Sequence, residues 1–267
     1  MGLIFDARAA RLYEAWYQSP QGRAMERLVR ESVSSLLELQ AGERILDIGC
    51  GEGNHLQFFS RLGFDACGLD ASPYMIRRAR ERLGHRCTLE VGDAEDLPFE
   101  DNEFDLALLI NTLEFLDRPA EVLMEAGRVA RRGVFIGVTN SLSWYCLCKK
   151  LQGLFKKTLF TYATPYNLWE LKSFVHAALG DVPVKWRCAQ VKAPVLEKIG
   201  GLLSEQWYLE SCPFGSFLGL CATMNYRVRT IQTPLKVRLE QAGRPVVRGV
   251  TMGELKNERS LSLREKR

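Results

Sequence analysis

Short apolar runs alternate with helically spaced apolar residues over the first 140 positions. The runs fall at 44–48, 64–69, 87–91, 104–110 and 134–138. A bounded run of this length reads as a strand buried on both faces. Between them, 54–62, 72–83 and 119–131 repeat apolar residues at the period of a helix packed on one side. Ser72 is a good N-cap with Pro73 at the first helical position, and Gly63 and Gly84 stand where two of these helices should stop. Strands alternating with helices predict a parallel sheet with helices on both faces. Two more helices are predicted upstream, at 7–18 and 20–39, with a break at Ser19-Pro20.

Beyond Val138 the pattern changes. Residues 141–166 hold Lys149, Lys150, Lys156 and Lys157, no acid and six aromatic residues, and read as an insertion over the rim of the sheet. A helix is predicted at 168–178 and strands at 184–191 and 217–228, separated by a mixed segment. From about 232 the chain is polar and charged, and the last thirty or so residues read as weakly ordered.

Charge sharpens this division. Residues 227–267 carry eleven Lys or Arg against four Glu, a net +7, so the other 226 residues carry −3 of the total +4. The basic character belongs to the tail, which gives nucleic-acid binding by the core little support. No apolar run approaches the roughly 18 residues of a membrane span. The start, Met1-Gly2-Leu3-Ile4-Phe5-Asp6, lacks the basic region and apolar core of a secretory signal. The eight cysteines are scattered without a Cys-x-x-Cys pair, and the three histidines lie far apart. Reduced thiols, a cytoplasmic location and no metal site are the expectation.

The chemistry sits at the ends of the apolar runs. The first ends Asp47-Ile48-Gly49-Cys50-Gly51-Glu52-Gly53. Asp70 follows Asp47 by twenty-three residues, and Asp93, behind Gly92, follows Asp70 by the same interval. Glycine is needed where backbone turns sharply or approaches a ligand, and the crevice beyond the strand ends is where open α/β sheets bind ligands. The nicotinamide fingerprint wants Gly or Ala where this chain has Asn54, and Glu52 puts an anion where a pyrophosphate would lie. Both departures suit a ligand without phosphate and with a cationic end. Asp70 can accept from two ribose hydroxyls, and Asp93, with Ala94 beside it, from an exocyclic amine.

These segments resemble the motifs of class I S-adenosylmethionine-dependent methyltransferases, type 11 group, which includes the quinone-biosynthesis methyltransferases. Residues 47–53 are similar to motif I, 68–75 to the ribose segment, 92–99 to the adenine segment, and Asn111-Thr112-Leu113-Glu114-Phe115-Leu116 to the stretch lining the cofactor and substrate cleft. The resemblance covers about 40–140 and implies a Rossmann-like seven-stranded sheet of order 3-2-1-4-5-7-6 with the last strand antiparallel. It further implies an N-terminal helical lid at 1–40, a methyltransferase domain at 41–230 with cap segments at 141–166 and 192–216, and a basic tail at 231–267. The cofactor implied is S-adenosylmethionine, with S-adenosylhomocysteine as product. The residues implied to hold it are Asp47, Gly49, Cys50, Gly51, Gly53, Asp70, Ala71, Met75, Asp93, Ala94, Asn111 and Thr112. Residues 131–133, Arg-Arg-Gly, stand where many relatives carry the turn Arg-Pro-Gly-Gly.

The implied reaction is methyl transfer to a small, apolar or aromatic acceptor by in-line displacement at the sulfonium methyl. Substrate candidates are Tyr13, Trp16 and Tyr17 on the lid, and Trp144, Tyr162 and Tyr166 in the insertion. No catalytic residue is assigned; His55, next to the glycine loop, is the candidate base. A non-catalytic S-adenosylmethionine-binding regulator or partner is the alternative. The expected partner is a small molecule, with no nucleic acid and no transmembrane segment. A peripheral membrane contact through 141–166 gets little support, because the four lysines come without a clear apolar stripe. Nothing in the sequence sets the oligomeric state.

Overall fold

The computed structural model describes residues 4–153, 162–190 and 212–224. Seven strands form one sheet: β1 (Arg44–Ile48), β2 (Asp65–Asp70), β3 (Thr88–Val91), β4 (Phe104–Ile110), β5 (Ala130–Thr139), β6 (Val184–Ala189) and β7 (Phe217–Thr223). Their order is β3-β2-β1-β4-β5-β7-β6. Pairing is parallel from β3 to β5, and β7 runs antiparallel to both β5 and β6. This is the sheet expected from the class I resemblance.

Strand alternation divides the core in two. Leu46, Ile48, Ala107, Leu109, Val134, Ile136 and Val138 face helices α5 (Pro119–Val129) and α7 (Leu168–Leu179). Ile45, Leu106, Leu108, Ile110 and Phe135 face α2 (Pro20–Leu36), α3 (Asn54–Arg61) and α4 (Pro73–Leu83). Every residue of β4 is buried, which explains its unbroken apolar run. Ser72 caps α4 by accepting from the Met75 amide, with Pro73 in the first turn.

The N-terminal segment splits in function. α2 buries Met25, Leu28, Val29 and Val33 in the core. Only the leading residues and α1 (Ala7–Tyr17) reach toward the cleft. Asp6 caps α1, its carboxylate accepting from the amides of Arg8 and Ala9. α1 is tied down where Ser72 Oγ donates to the Phe5 carbonyl at 2.6 Å and Arg78 on α4 pairs with Glu14 at 3.3 Å.

Two differences in element ends bear on the packing. α2 stops at Leu36, because Leu37 is extended. α5 passes at Val129 directly into β5, so residues 131–133 form strand, not a turn. The two arginines fit this: Arg131 donates to Asp105 at 2.6 Å near the start of the adjacent β4, and Arg132 pairs with Glu43, just ahead of β1. The expected extension of the last strand to 228, the segment at 192–216 through residue 211, and the tail lie outside the described residues. No helix among the described residues is long and apolar enough to cross a membrane.

Candidate active site

At the C-terminal ends of β1, β2, β3 and β4 the chain opens into a cleft. Its walls are Ile4, Phe5, Tyr13, Gly49, Gly51, Leu69, Asp70, Ala71, Met75, Asp93, Ala94, Ile110, Asn111, Thr112, Phe115 and Leu116. The topology places it where β1 and β4, neighbours in the sheet, send their connections in opposite directions.

The glycines of the first loop do three different things. Gly49 has φ +76°, and a Cβ there would lie 2.4 Å from the Thr112 methyl, so both conformation and packing demand glycine. Thr112 is fixed in turn by donating to the Ile48 carbonyl at 3.0 Å. Gly51 has φ +54°, and its missing Cβ would meet only open space, on the cleft side. Gly53 (φ +74°) instead faces Leu83, 2.6 Å from where its Cβ would be, and lets the loop pack on α4. Cys50 is buried against Gly68 and Leu56 in the core. These two residues of the implied cofactor set therefore shape the loop and do not line the cleft.

Asp70 organises the floor. One carboxylate oxygen accepts from the Gly51 amide and the other from the Ser72 amide, each at 2.8 Å. A carboxylate offers about four acceptor positions, so capacity remains for two further donors. Burial pushes its pKa up, and the two amides oppose that shift. Asp93 lies two residues past the end of β3, holds its own turn by accepting from the Glu95 amide at 3.0 Å, and lines the cleft with Ala94.

Asp47 lies beneath the loop and is 1% exposed. Its Oδ2 has no hydrogen-bond partner. Burial, helped by the charge of Asp70, raises its pKa to about 7. A buried carboxyl oxygen without a partner costs about 1–3 kcal/mol, more when charged. A ligand cation near this end of the cleft would relieve that cost. No Lys, Arg or His is among the residues lining the cleft.

These features fit S-adenosylmethionine. Asp70 has free acceptor positions for ribose hydroxyls, Asp93 and Ala94 are placed for an adenine edge, Gly51 leaves space, and Asp47 offers an orphaned anion for a cationic methionine end. The absence of basic residues from this wall makes a poor pyrophosphate site. Asn111 closes the floor with φ +52°, an uncommon conformation outside glycine, its amide bonded to the Gly137 carbonyl at 2.7 Å.

The opposite wall is apolar. Phe5 meets Tyr13 and Phe115 edge-on, with ring centroids 6.0 and 5.3 Å apart. Ile4, Ile110 and Leu116 complete it. No sequence motif marks Phe5 or Ile4; the nearest signal is their position just before the Asp6 cap.

Several sequence candidates lie elsewhere. Trp16 and Tyr17 stack behind Tyr13, at 6.1 and 5.6 Å, and Trp16 donates to the Tyr145 hydroxyl at 3.4 Å. They support Tyr13 and do not line the cleft. Tyr166 is buried against Phe174 in the core, while Trp144 and Tyr162 are 68% and 53% exposed. His55 turns under α1, edge-on to Tyr17 at 6.5 Å. Burial holds it neutral, with its pKa lowered to about 4. It is absent from the cleft wall.

Residues 46–137 match the family model described as methyltransferase domain. An O-methyltransferase of Aspergillus sclerotiorum is 30% identical over 52% of this chain and 56% of its own length. The chloroplastic tocopherol O-methyltransferase of Arabidopsis thaliana is 30% identical over 47% of this chain and 38% of its own. A crystal structure from Thermotoga maritima, described as an S-adenosylmethionine-dependent methyltransferase and possible histamine N-methyltransferase, aligns with a TM-score of 0.65 and 26% identity. That alignment covers 82% of this chain and 97% of the Thermotoga one. The chain spans roughly a third to three fifths of the length of the curated relatives. Residues 46–137 match the methyltransferase domain model, and sheet order and cleft agree with the fold of a class I S-adenosylmethionine-dependent methyltransferase.

Proposed function

We propose that the chain transfers the methyl group of S-adenosylmethionine to a small, apolar or aromatic acceptor. What supports this is the two-sided cleft: the carboxylates of Asp70 and Asp93 face a wall of Ile4, Phe5, Tyr13, Ile110, Phe115 and Leu116, with Asp47 buried beneath the glycine loop. Bound there, S-adenosylmethionine supplies an electrophilic methyl that an acceptor takes by in-line displacement. Asp70, Asp93 and Ala94 hold the nucleoside end, and Asp47, through the loop it underlies, favours the cationic end. The apolar wall packs a flat or aliphatic acceptor and keeps water out. Orientation of this kind can lower a barrier by roughly 7–11 kcal/mol, so the site can work without a base.

Tyr13 is the remaining substrate candidate from the lid. Its phenol is held protonated, chiefly by burial and then by the charges of Asp47, Glu52 and Asp70. Two of the relatives are named for O-methylation, one of them of tocopherol, an apolar phenol. None of the eight cysteines is in a disulfide, which suits a reducing, cytoplasmic setting.

Incubation with methyl-labelled S-adenosylmethionine and a panel of phenols, quinols and aliphatic amines tests the reading. Label should enter apolar phenols or quinols. Cofactor binding with no labelled product across the panel would instead favour a non-catalytic binding protein.

A further inference from the structure

Helix α6 (Trp144–Gly153) leaves the end of β5 beside the cleft. One side of it is anchored: Ser143 and Cys146 are 2% and 3% exposed, and Tyr145 reaches Trp16 on α1. The other side presents apolar residues to solvent. Leu142, Trp144 and Leu147 are 45%, 68% and 45% exposed, and Tyr162 follows at 53%. Positions 144, 147 and 151 carry Trp, Leu and Leu at helical spacing. The patch adjoins the cleft. Tyr166 bridges to Asn140, and the Thr164 amide donates to the Glu114 carbonyl at 2.8 Å, next to the cleft residue Phe115. Ile4 is both part of the cleft wall and 42% exposed.

We infer that this face docks on an anionic lipid surface, from which the cleft takes its acceptor. The inference rests on the apolar-acceptor reading above and extends it. Charge selects the occupant: residues 141–166 carry four lysines and no acid. Tryptophan and leucine with lysines and no acids is the composition of a segment lying in the headgroup region, with lysines reaching the lipid phosphates. The exposure of Trp144 and Leu147 on one side of α6, with Leu142 just ahead of it, supplies the apolar face that the sequence reading does not credit.

Cosedimentation of the full chain with phosphatidylcholine vesicles, and with vesicles also containing phosphatidylserine, tests this without cofactor or acceptor. Binding should favour the anionic vesicles about tenfold or more and weaken with salt. The basic residues at 227–267 attract anionic vesicles by themselves, so the decisive comparison is between wild type and α6 variants. Trp144→Ser with Leu147→Ser should lower affinity by about tenfold or more. Lys149→Ala with Lys150→Ala should lower it roughly twenty-fivefold, about fivefold per lysine. Both variants should bind S-adenosylhomocysteine within about twofold of wild type, which shows that they fold. No binding to either vesicle, equal binding to both, or binding unchanged in both variants would overturn the inference. Such a failure beside intact methyl transfer would leave the proposed function standing, and lost methyl transfer beside intact vesicle binding would do the reverse.

Discussion

The two walls of the cleft are built in different ways. The donor wall, between Asp47 and Asn111, is backbone geometry and carboxylates at strand ends. Its parts are rigid: two positive-φ glycines, amides fixed on Asp70, and Thr112 wedged under Gly49. The acceptor wall is side-chain volume brought from distant places, Ile4 and Phe5 before α1, Tyr13 within it, and Phe115 and Leu116 after β4. On the proposed function, a donor common to many enzymes is met by a fixed frame, and the acceptor by replaceable apolar residues. The walls should therefore fail separately.

The largest effect should come from the donor wall. Gly49→Ala strains a left-handed position and drives a methyl into Thr112, and should cost about 2–5 kcal/mol in urea unfolding along with cofactor binding. Gly51→Ala meets no atom, so its stability loss should stay near 1–2 kcal/mol from backbone strain while cofactor affinity still falls. Equal stability losses in the two would contradict the division of labour within the loop.

Asp70→Asn comes next. Hydrogen bonds to a charged group contribute about 1.5–3 kcal/mol, so calorimetry should show S-adenosylhomocysteine affinity lowered about ten- to hundredfold. Phe115→Ala should break the comparison in the other direction. It should raise the acceptor KM about tenfold, the value of a buried aromatic, with cofactor Kd within about twofold. A large cofactor effect from Phe115 would mean the walls are not separate.

The smallest expected effect is on pH. Asp47 titrates near 7 in the empty cleft. A cationic ligand favours its charged form, so cofactor affinity should be full above pH 7 and fall as pH drops through it, by up to about tenfold per unit. Asp47→Asn should flatten that dependence. The empty protein runs the other way. The folded pKa exceeds the unfolded value of about 3.9, so this group favours the fold at low pH, and that advantage is lost as pH rises from about 4 to 7.

The donor wall was legible in the sequence because its chemistry lies in local motifs. Gly49, Gly51, Asp70 and Asp93 occupy the strand ends that their spacing implied, and the sheet order followed from the same resemblance. What periodicity does not carry is where a side chain points. His55 and Gly53 are each within a residue of the loop's end, yet one turns under Tyr17 and the other packs on Leu83. The helix pattern likewise ran past Val129 because Arg131 looks polar in sequence; only its partner Asp105 on the adjacent strand shows why it belongs to β5. Tyr166 and Trp144 read alike as aromatic cap residues, but one is core and the other surface, a difference set by tertiary neighbours.

The central claim, that the donor wall holds a sulfonium nucleoside, is tested most directly by thermal unfolding of the wild-type chain with S-adenosylmethionine, S-adenosylhomocysteine and NAD in turn. At a hundred times Kd a ligand stabilises by about 2.7 kcal/mol, enough to move the transition by several degrees. The account predicts an upward shift with the first two and none with NAD; a shift with NAD alone, or none with any of the three, would contradict it.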